Sequence, residues 1–581
     1  MSSIRQLPSS LLGLVSLGAW LPAALTLVVL LLPGGWPGAS TVYAKNGMVV
    51  TRSLHASEAG VAMMRQGGNA IDAMVAASFA LAVTHPAAGN IGGGGFMVIR
   101  LADGTVATND HREMAPSGAT RDMFLDETGK FVRERSLLSH LASGVPGSVA
   151  GLLAIHERYG RLSRKQVLER AILLAEKGFV VGYPLSRSLK RMEERFQAHP
   201  ASRIKFLDDE GNAPEFGDVF RQPDLAATLG RIAEEGKDGF YRGKTAQLIA
   251  KEMAENGGLI TVEDLAAYKS VWREPVRVSY RGYEVIAMGP PSSGGVLLGF
   301  MLQALQPQDL ASLGPGSAQA LHLMTEIERR AFADRSKHLG DPDFYPVPTS
   351  RLLSPEYVTM RMNDFDPEHA SVSSELLPGV FEVQQESAET THLSALDRDG
   401  NAVSYTTTLN GGYGSGIVVA GAGFLLNNEM DDFSAKPGEP NMFGLVGGEA
   451  NAIEPSKRML SSMTPTIVLN NGQPFLVTGS PGGPTIITTV YQIITNVMDH
   501  DMALYDAVAR ARCHHQWLPD SLVCEPDALS ADTIRELERM GHPPIAPYRR
   551  GKIGDAHSIL VQEGVMQGVA DPRNDGVAVG L

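Results

Sequence analysis

Five short stretches late in the chain place reactive or charged side chains in small or apolar surroundings. They are TTHLS from Thr390, TLNGGYGSG from Thr408, LLNNEMDDF from Leu425, LSSMTPT from Leu460 and GSPGG from Gly479. Hydroxyls, carboxylates and glycine pairs in such surroundings are the residue types in this chain to weigh for chemistry. Each also has an ordinary explanation. Threonine favours strands, Ser461-Ser462 fits a turn, Asp431-Asp432 a solvated corner and Gly482-Gly483 a helix entry. A mid-chain threonine hydroxyl without a base is a poor nucleophile. Common alternatives are missing: there is no Gly-x-Ser-x-Gly, no His-Glu-x-x-His and no dinucleotide fingerprint. His514 and His515 are adjacent, so on a strand they point to opposite faces, which favours structural roles over a metal site. Cys513 and Cys524 are too few for a cysteine-based metal centre. One disulfide and two buried thiols both fit them.

The elements that must position these residues are mixed. Residues 56–85 read as two helices broken at Gly67-Gly68. Asn69 caps the second, whose Ile71, Met74, Val75, Ser78, Phe79 and Ala82 share a face. GNIGGGG at 89–95 lacks the Gly-Lys-Ser/Thr of a phosphate loop and leads into a strand. Its glycines therefore imply close backbone passage. FMVIRL and TVATND, joined at Asp103-Gly104, read as a hairpin. Residues 120–380 are mostly helical in pattern, at 163–177, 222–235 and 316–338 for example. After 390 the texture turns to short strands at 391–397, 402–409, TIVL, FLVTGS, 557–561 and 565–570, with a helix over 485–497. Hairpins without regular βαβ alternation predict a layered α+β fold.

A length of 581 residues suggests roughly three or four domains. The net charge of −14 argues against nucleic acid or an anionic membrane as partner. In the first 44 residues Arg5 is the only charge, and Leu11 to Leu32 is apolar apart from Ser16, Pro22 and Thr26. With Val42 and Ala44 before Lys45, residues 1–44 read as a secretory signal peptide, though the apolar stretch is also long enough for an uncleaved anchor.

Together and in this order, the five stretches resemble the γ-glutamyltransferases (γ-glutamyl transpeptidases) of the N-terminal nucleophile hydrolases. The resemblance extends through NIGGGGFMV, DHREMAPSGATRDMF, ASGVPGSVAG, PPSSGGVLL, HHQWLPD and ADPR, and so covers 45–581. It implies an αββα sandwich built jointly by two subunits of one self-cleaved precursor. The cut would fall between Glu389 and Thr390, giving a large subunit of 45–389 and a small one of 390–581. Thr390 would then carry its own base, because an α-amine has a pKa of about 7.7–8.0.

Further roles follow from the resemblance. Thr408 would hydrogen-bond the Thr390 hydroxyl, and the N–H groups around Gly482 and Gly483 would form the oxyanion hole. Arg112, Ser461 and Ser462 would bind the donor's α-carboxylate, and Asn410, Glu429 and Asp432 its α-ammonium. Many bacterial relatives have glutamine where this chain has Glu429. Residues 436–450 look like a lid, with Phe443 as gate and Gly438, Gly444, Gly447 and Gly448 supplying flexibility. The implied reaction is ping-pong γ-glutamyl transfer from glutathione or related donors to water, amino acids or dipeptides. It needs no metal or organic cofactor, and the implied location is the bacterial periplasm. Two alternatives stand beside it: a cephalosporin (glutaryl) acylase of the same fold, and a secreted non-catalytic binding protein.

Overall fold

Two antiparallel seven-stranded sheets lie face to face in this computed structural model, which describes residues 40–378, 390–434, 448–548 and 551–581. The first sheet runs Val577–Gly580, Gly47–Thr51, Thr390–Asp397, Ala402–Thr408, Gly94–Arg100, Val106–His111 and Val271–Arg273. The second runs Val42–Ala44, Val565–Ala570, His557–Gln562, Gln473–Thr478, Thr466–Asn470, Tyr283–Ala287 and Val276–Tyr280. Met48, Val50, Phe96, Val98, Leu396, Ile467, Val477 and Ile559 form the core between them. Alternation along each strand sends one set of side chains there and the other set to the helices outside.

Helices Leu54–Arg65 and Ala70–Thr84 cover the first sheet, and Gly294–Leu305, Ala318–His338 and Thr485–Met498 cover the second. The order helix, sheet, sheet, helix is the αββα arrangement that the resemblance implied. Asn69 does cap Ala70–Thr84, in a reciprocal box with Asp72. That helix is buried on all its residues rather than on one face. Helix Arg164–Lys177 packs on its outer side, so it lies inside the domain and its pattern is apolar all round.

Five strands fall within the stretch read as mostly helical: the short pair Phe179–Val180 and Val219–Phe220, and Val271–Arg273, Val276–Tyr280 and Tyr283–Ala287 of the large sheets. Alternation in VRVSY and YEVIA is only five residues long, too short to stand out before its neighbours are known. Ala39–Leu581 is also one compact unit instead of three or four domains. Its sheets interleave strands from both ends of the chain, so no cut in sequence separates two cores. Val42–Ala44 pairs with Met566–Gly568 at a sheet edge, within the last residues of the predicted leader. No helix among the described residues is long and apolar enough to cross a membrane. Leu11 to Leu32, Glu389, Phe443, Gly438, Gly444 and Gly447 lie outside the described residues.

Candidate active site

Thr390 opens a fully buried central strand, and its register partner across the sheet is Thr408, the last residue of the neighbouring strand. Register alternation puts Thr390, His392 and Ser394 on one face, opposite Thr408, Thr406 and Ser404. This face points into the sandwich, where His392 sits between the Thr406 and Ser394 hydroxyls at 2.9 and 3.1 Å. Burial and the nearby His557 hold the His392 imidazole well below its ordinary pKa, so it is neutral.

Beyond Thr408 the chain turns sharply. Asn410 takes a positive φ of 73°, a conformation asparagine tolerates better than most residues. In that position its backbone N–H donates to the Thr408 hydroxyl at 2.7 Å, and its Nδ2 donates to the Asn428 carbonyl at 2.8 Å. Asn410 thus ties Thr408 to the segment that starts the short 3-10 turn Glu429–Asp432.

Arg112 follows the strand Val106–His111, and its backbone N–H is fixed by Asp110 Oδ1 at 3.0 Å. Its guanidinium, 1% exposed, pairs with both Glu429 and Asp432. It also donates to the Met459 and Leu460 carbonyls at 3.3 and 3.2 Å. Ser461 and Ser462, both buried, come next in the chain after Leu460. The Ser461 backbone is held by the Pro291 carbonyl and by Ser293. The two predicted charge-binding sets therefore meet: Arg112 and the acids Glu429 and Asp432 are in direct contact.

A third acid belongs to this cluster. Glu113 Oε2 lies 3.5 Å from the Arg112 guanidinium, and the residue is fully buried. Burial pushes its carboxyl up to about 7, with Arg112 opposing the shift. Burial likewise raises Glu429 well above the usual carboxylate range, again with Arg112 opposing. Three carboxylates around one guanidinium cannot all ionise cheaply in a dry site, so the cluster holds a proton at neutral pH. The sequence reading missed Glu113, although it directly follows Arg112 in HREMAP. It also missed Asn427 and Asn428, which stand in the LLNNEMDDF stretch without an assigned role.

Gly482 and Gly483 have φ values of 135° and 60°. A Cβ on Gly482 would sit 2.4 Å from Thr485 Oγ1, so glycine is required there on both counts. Their carbonyls accept from Thr485 and Ile486, whereas neither N–H donates to another described residue. Both precede the helix Thr485–Met498, whose N-terminal dipole favours developing negative charge. The loop reaches the Thr390–Asp397 strand through Gly479, where a Cβ would lie 2.3 Å from the His392 ring.

His514 and His515 bond within the protein, to Thr488 and Gln516 and to Asp520 and the Trp517 N–H. Among the described residues no cluster of His, Cys, Asp or Glu is arranged to hold a metal ion. Cys513 and Cys524, which the sequence left open, are register partners joined as a disulfide.

The chain is similar to known proteins over most of its length. A family model described as Gamma-glutamyltranspeptidase matches residues 56–581. A glutathione hydrolase proenzyme of Escherichia coli is 49% identical over 535 residues, covering 92% of this chain and 91% of the relative. One from a Pseudomonas species is 44% identical over 550 residues, covering 93% and 95%. A crystal structure of cephalosporin acylase from Bacillus halodurans superposes with a TM-score of 0.81 at 28% identity, covering 95% of this chain and 99% of that one.

Proposed function

Because the chain belongs to the γ-glutamyltranspeptidase family, we propose that it is a self-processing γ-glutamyltransferase and glutathione hydrolase with Thr390 as nucleophile. The observation that carries this reading is the link from Thr408 through Asn410 and Asn428 to an Arg112–Glu429–Asp432 cluster. It joins a threonine pair to a pocket of both charges.

In the precursor the Thr390 hydroxyl attacks the Glu389 carbonyl, and water resolves the resulting ester. Residues 390–581 become a small subunit that stays with the large one, 45–389, after a leader of 1–44 directs export to the periplasm. The freed α-amine takes the hydroxyl proton as Thr390 attacks the donor's γ-carbonyl. The Gly482 and Gly483 N–H groups receive the oxyanion. The donor's amine leaves with the proton, and water or an amino acid or peptide amine then takes the γ-glutamyl group from the ester.

The head-group pocket works by exchange of partners. In the free protein Arg112 neutralises Glu429 and Asp432. A γ-glutamyl head group brings both charges, so its carboxylate, aided by Ser461 and Ser462, replaces the acids at Arg112. Its ammonium then neutralises the acids, with Asn410 alongside. A glutaryl group brings only the carboxylate and strands the acids, and a stranded buried charge costs about 3–5 kcal/mol. This argument ranks γ-glutamyl amides above the glutaryl substrates of an acylase.

Release of p-nitroaniline from γ-glutamyl and glutaryl anilides tests the reading. Preference for the first, by protein that runs as two bands on a denaturing gel, is the expected result. Glutaryl preference would favour the acylase, and a single inert band the binding protein.

A further inference from the structure

The glycine run Gly92–Gly95 takes no part in these steps, yet it touches both halves of the site. A Cβ on Gly93 would stand 2.0 Å from the Thr408 carbonyl oxygen, and one on Gly94 would stand 2.5 Å from Glu113 Oε2. Bare backbone therefore fills a gap that no side chain could enter.

Two buried asparagines fasten this backbone. Asn90 Nδ2 donates to the Thr408 carbonyl at 2.9 Å and to the Thr407 hydroxyl at 3.1 Å, while its Oδ1 accepts the Gly93 N–H at 2.9 Å. On the other side, Asn427 Nδ2 donates to the carbonyls of Gly92 and Gly144, both at 2.8 Å. Asn427 Oδ1 accepts the N–H groups of Glu429 and Gly144 at 3.0 and 2.9 Å. One asparagine thus grips the nucleophile end and the other grips the head-group end, with the glycine backbone between them.

We propose that Asn90 and Asn427, acting through the Gly92–Gly95 backbone, are positioning residues that fix the span from the Thr390–Thr408 pair to Glu429. They thereby select a γ-glutamyl chain over the β-aspartyl chain, which is one methylene shorter. The inference rests on the function proposed above and adds the source of its length selectivity. An apolar pocket separates substrates differing by one methylene only about 10- to 200-fold. Here both ends of the acyl chain are held, one by ion pairs and one by the nucleophile. The selectivity then depends on how little that span can stretch, since a misplacement of about 1 Å can cost 100-fold in rate. Amide side chains suit the task because each donates and accepts at once, joining three backbone segments without charge.

The test compares wild type with Asn427→Ala and Asn90→Ala on γ-glutamyl and β-aspartyl p-nitroanilides, in cleaved protein. For Asn427→Ala, kcat on the γ-glutamyl anilide should fall roughly 10- to 100-fold with a smaller change in KM. The β-aspartyl rate should hold or rise, narrowing the ratio of the two specificity constants at least about tenfold. Self-cleavage should persist in Asn427→Ala and slow in Asn90→Ala, because only Asn90 touches Thr408. Should the alanine variants fail to fold, Asn427→Asp keeps the volume and the acceptor while losing both donors, and the same ratio decides. Equal proportional losses on the two anilides would overturn the spacing role while leaving the enzyme assignment intact. A wild type inert on the γ-glutamyl anilide would overturn both.

Discussion

Asn410 donates its backbone N–H to the Thr408 hydroxyl at 2.7 Å, which fixes the orientation of that hydroxyl. Thr408 is also the register partner of Thr390, which the proposed function makes the nucleophile. Thr390→Ala should remain one uncut chain. Wild type should give two fragments, the smaller beginning Thr-Thr-His-Leu and the larger beginning at Lys45. Thr408→Val keeps the shape and removes the hydroxyl, so it should slow both cleavage and turnover, by up to about tenfold for one neutral hydrogen bond. N-terminal sequencing and timed gels check this. Activity in uncut wild type would defeat the mechanism, and a larger fragment starting at or before Val42 would show that the edge strand stays.

Asp432→Asn removes one of the acids that pair with Arg112. The specificity constant for γ-glutamyl anilides should drop by about 10- to 150-fold, the worth of one charge-assisted hydrogen bond. Glutaryl anilides should be spared, having no ammonium to lose. Arg112→Ala should damage any substrate that carries the carboxylate. Neither change should prevent self-cleavage, which uses the chain's own peptide bond. Equal losses of the two anilides in processed Asp432→Asn protein would show that the ammonium binds elsewhere.

Glu113 gives stability a sign with pH. Burial raises its carboxyl from 4.5 to about 7, so between these values the folded state binds the proton and the unfolded state does not. Stability from this group is therefore present below about 4.5 and lost as pH rises towards 7. Glu113→Gln cannot titrate, and its decline in melting temperature between pH 5 and pH 8 should be shallower than that of wild type. An unchanged pH slope in thermal unfolding would remove Glu113 as the source.

The Cys513–Cys524 bond closes a short loop, with a sequence separation of 11. Constraining the unfolded chain in that way is worth about 3 kcal/mol in the loop-entropy account. The double variant Cys513→Ala, Cys524→Ala should lose that much in denaturant unfolding and retain activity. Intact mass before and after reduction and alkylation reports the bond itself. Alkylation of both thiols without reductant would contradict it.

Local patterns made much of this molecule legible. The Asn69 cap, the hairpin at Asp103-Gly104 and the strands flanking Asp399-Gly400 are encoded in a few residues each, and they form where expected. The five polar stretches after Glu389 were visible as well, because their residue types are unusual in apolar surroundings. Distance between segments is not written locally. The ion pairs of Arg112 with Glu429 and Asp432 span more than three hundred positions. They exist because the strand ending at His111 and the one ending at Thr408 flank the same Gly94–Arg100 strand. The short strands of 271–287 stayed hidden because each is only three to five residues long, even though Val276–Tyr280 and Tyr283–Ala287 pair with each other. Glu113 was hidden for another reason: a carboxylate beside an arginine looks like surface until burial takes its water away. Residue types and their order thus specified the chemistry, while sheet register and burial decided which groups meet and which of them keep a proton.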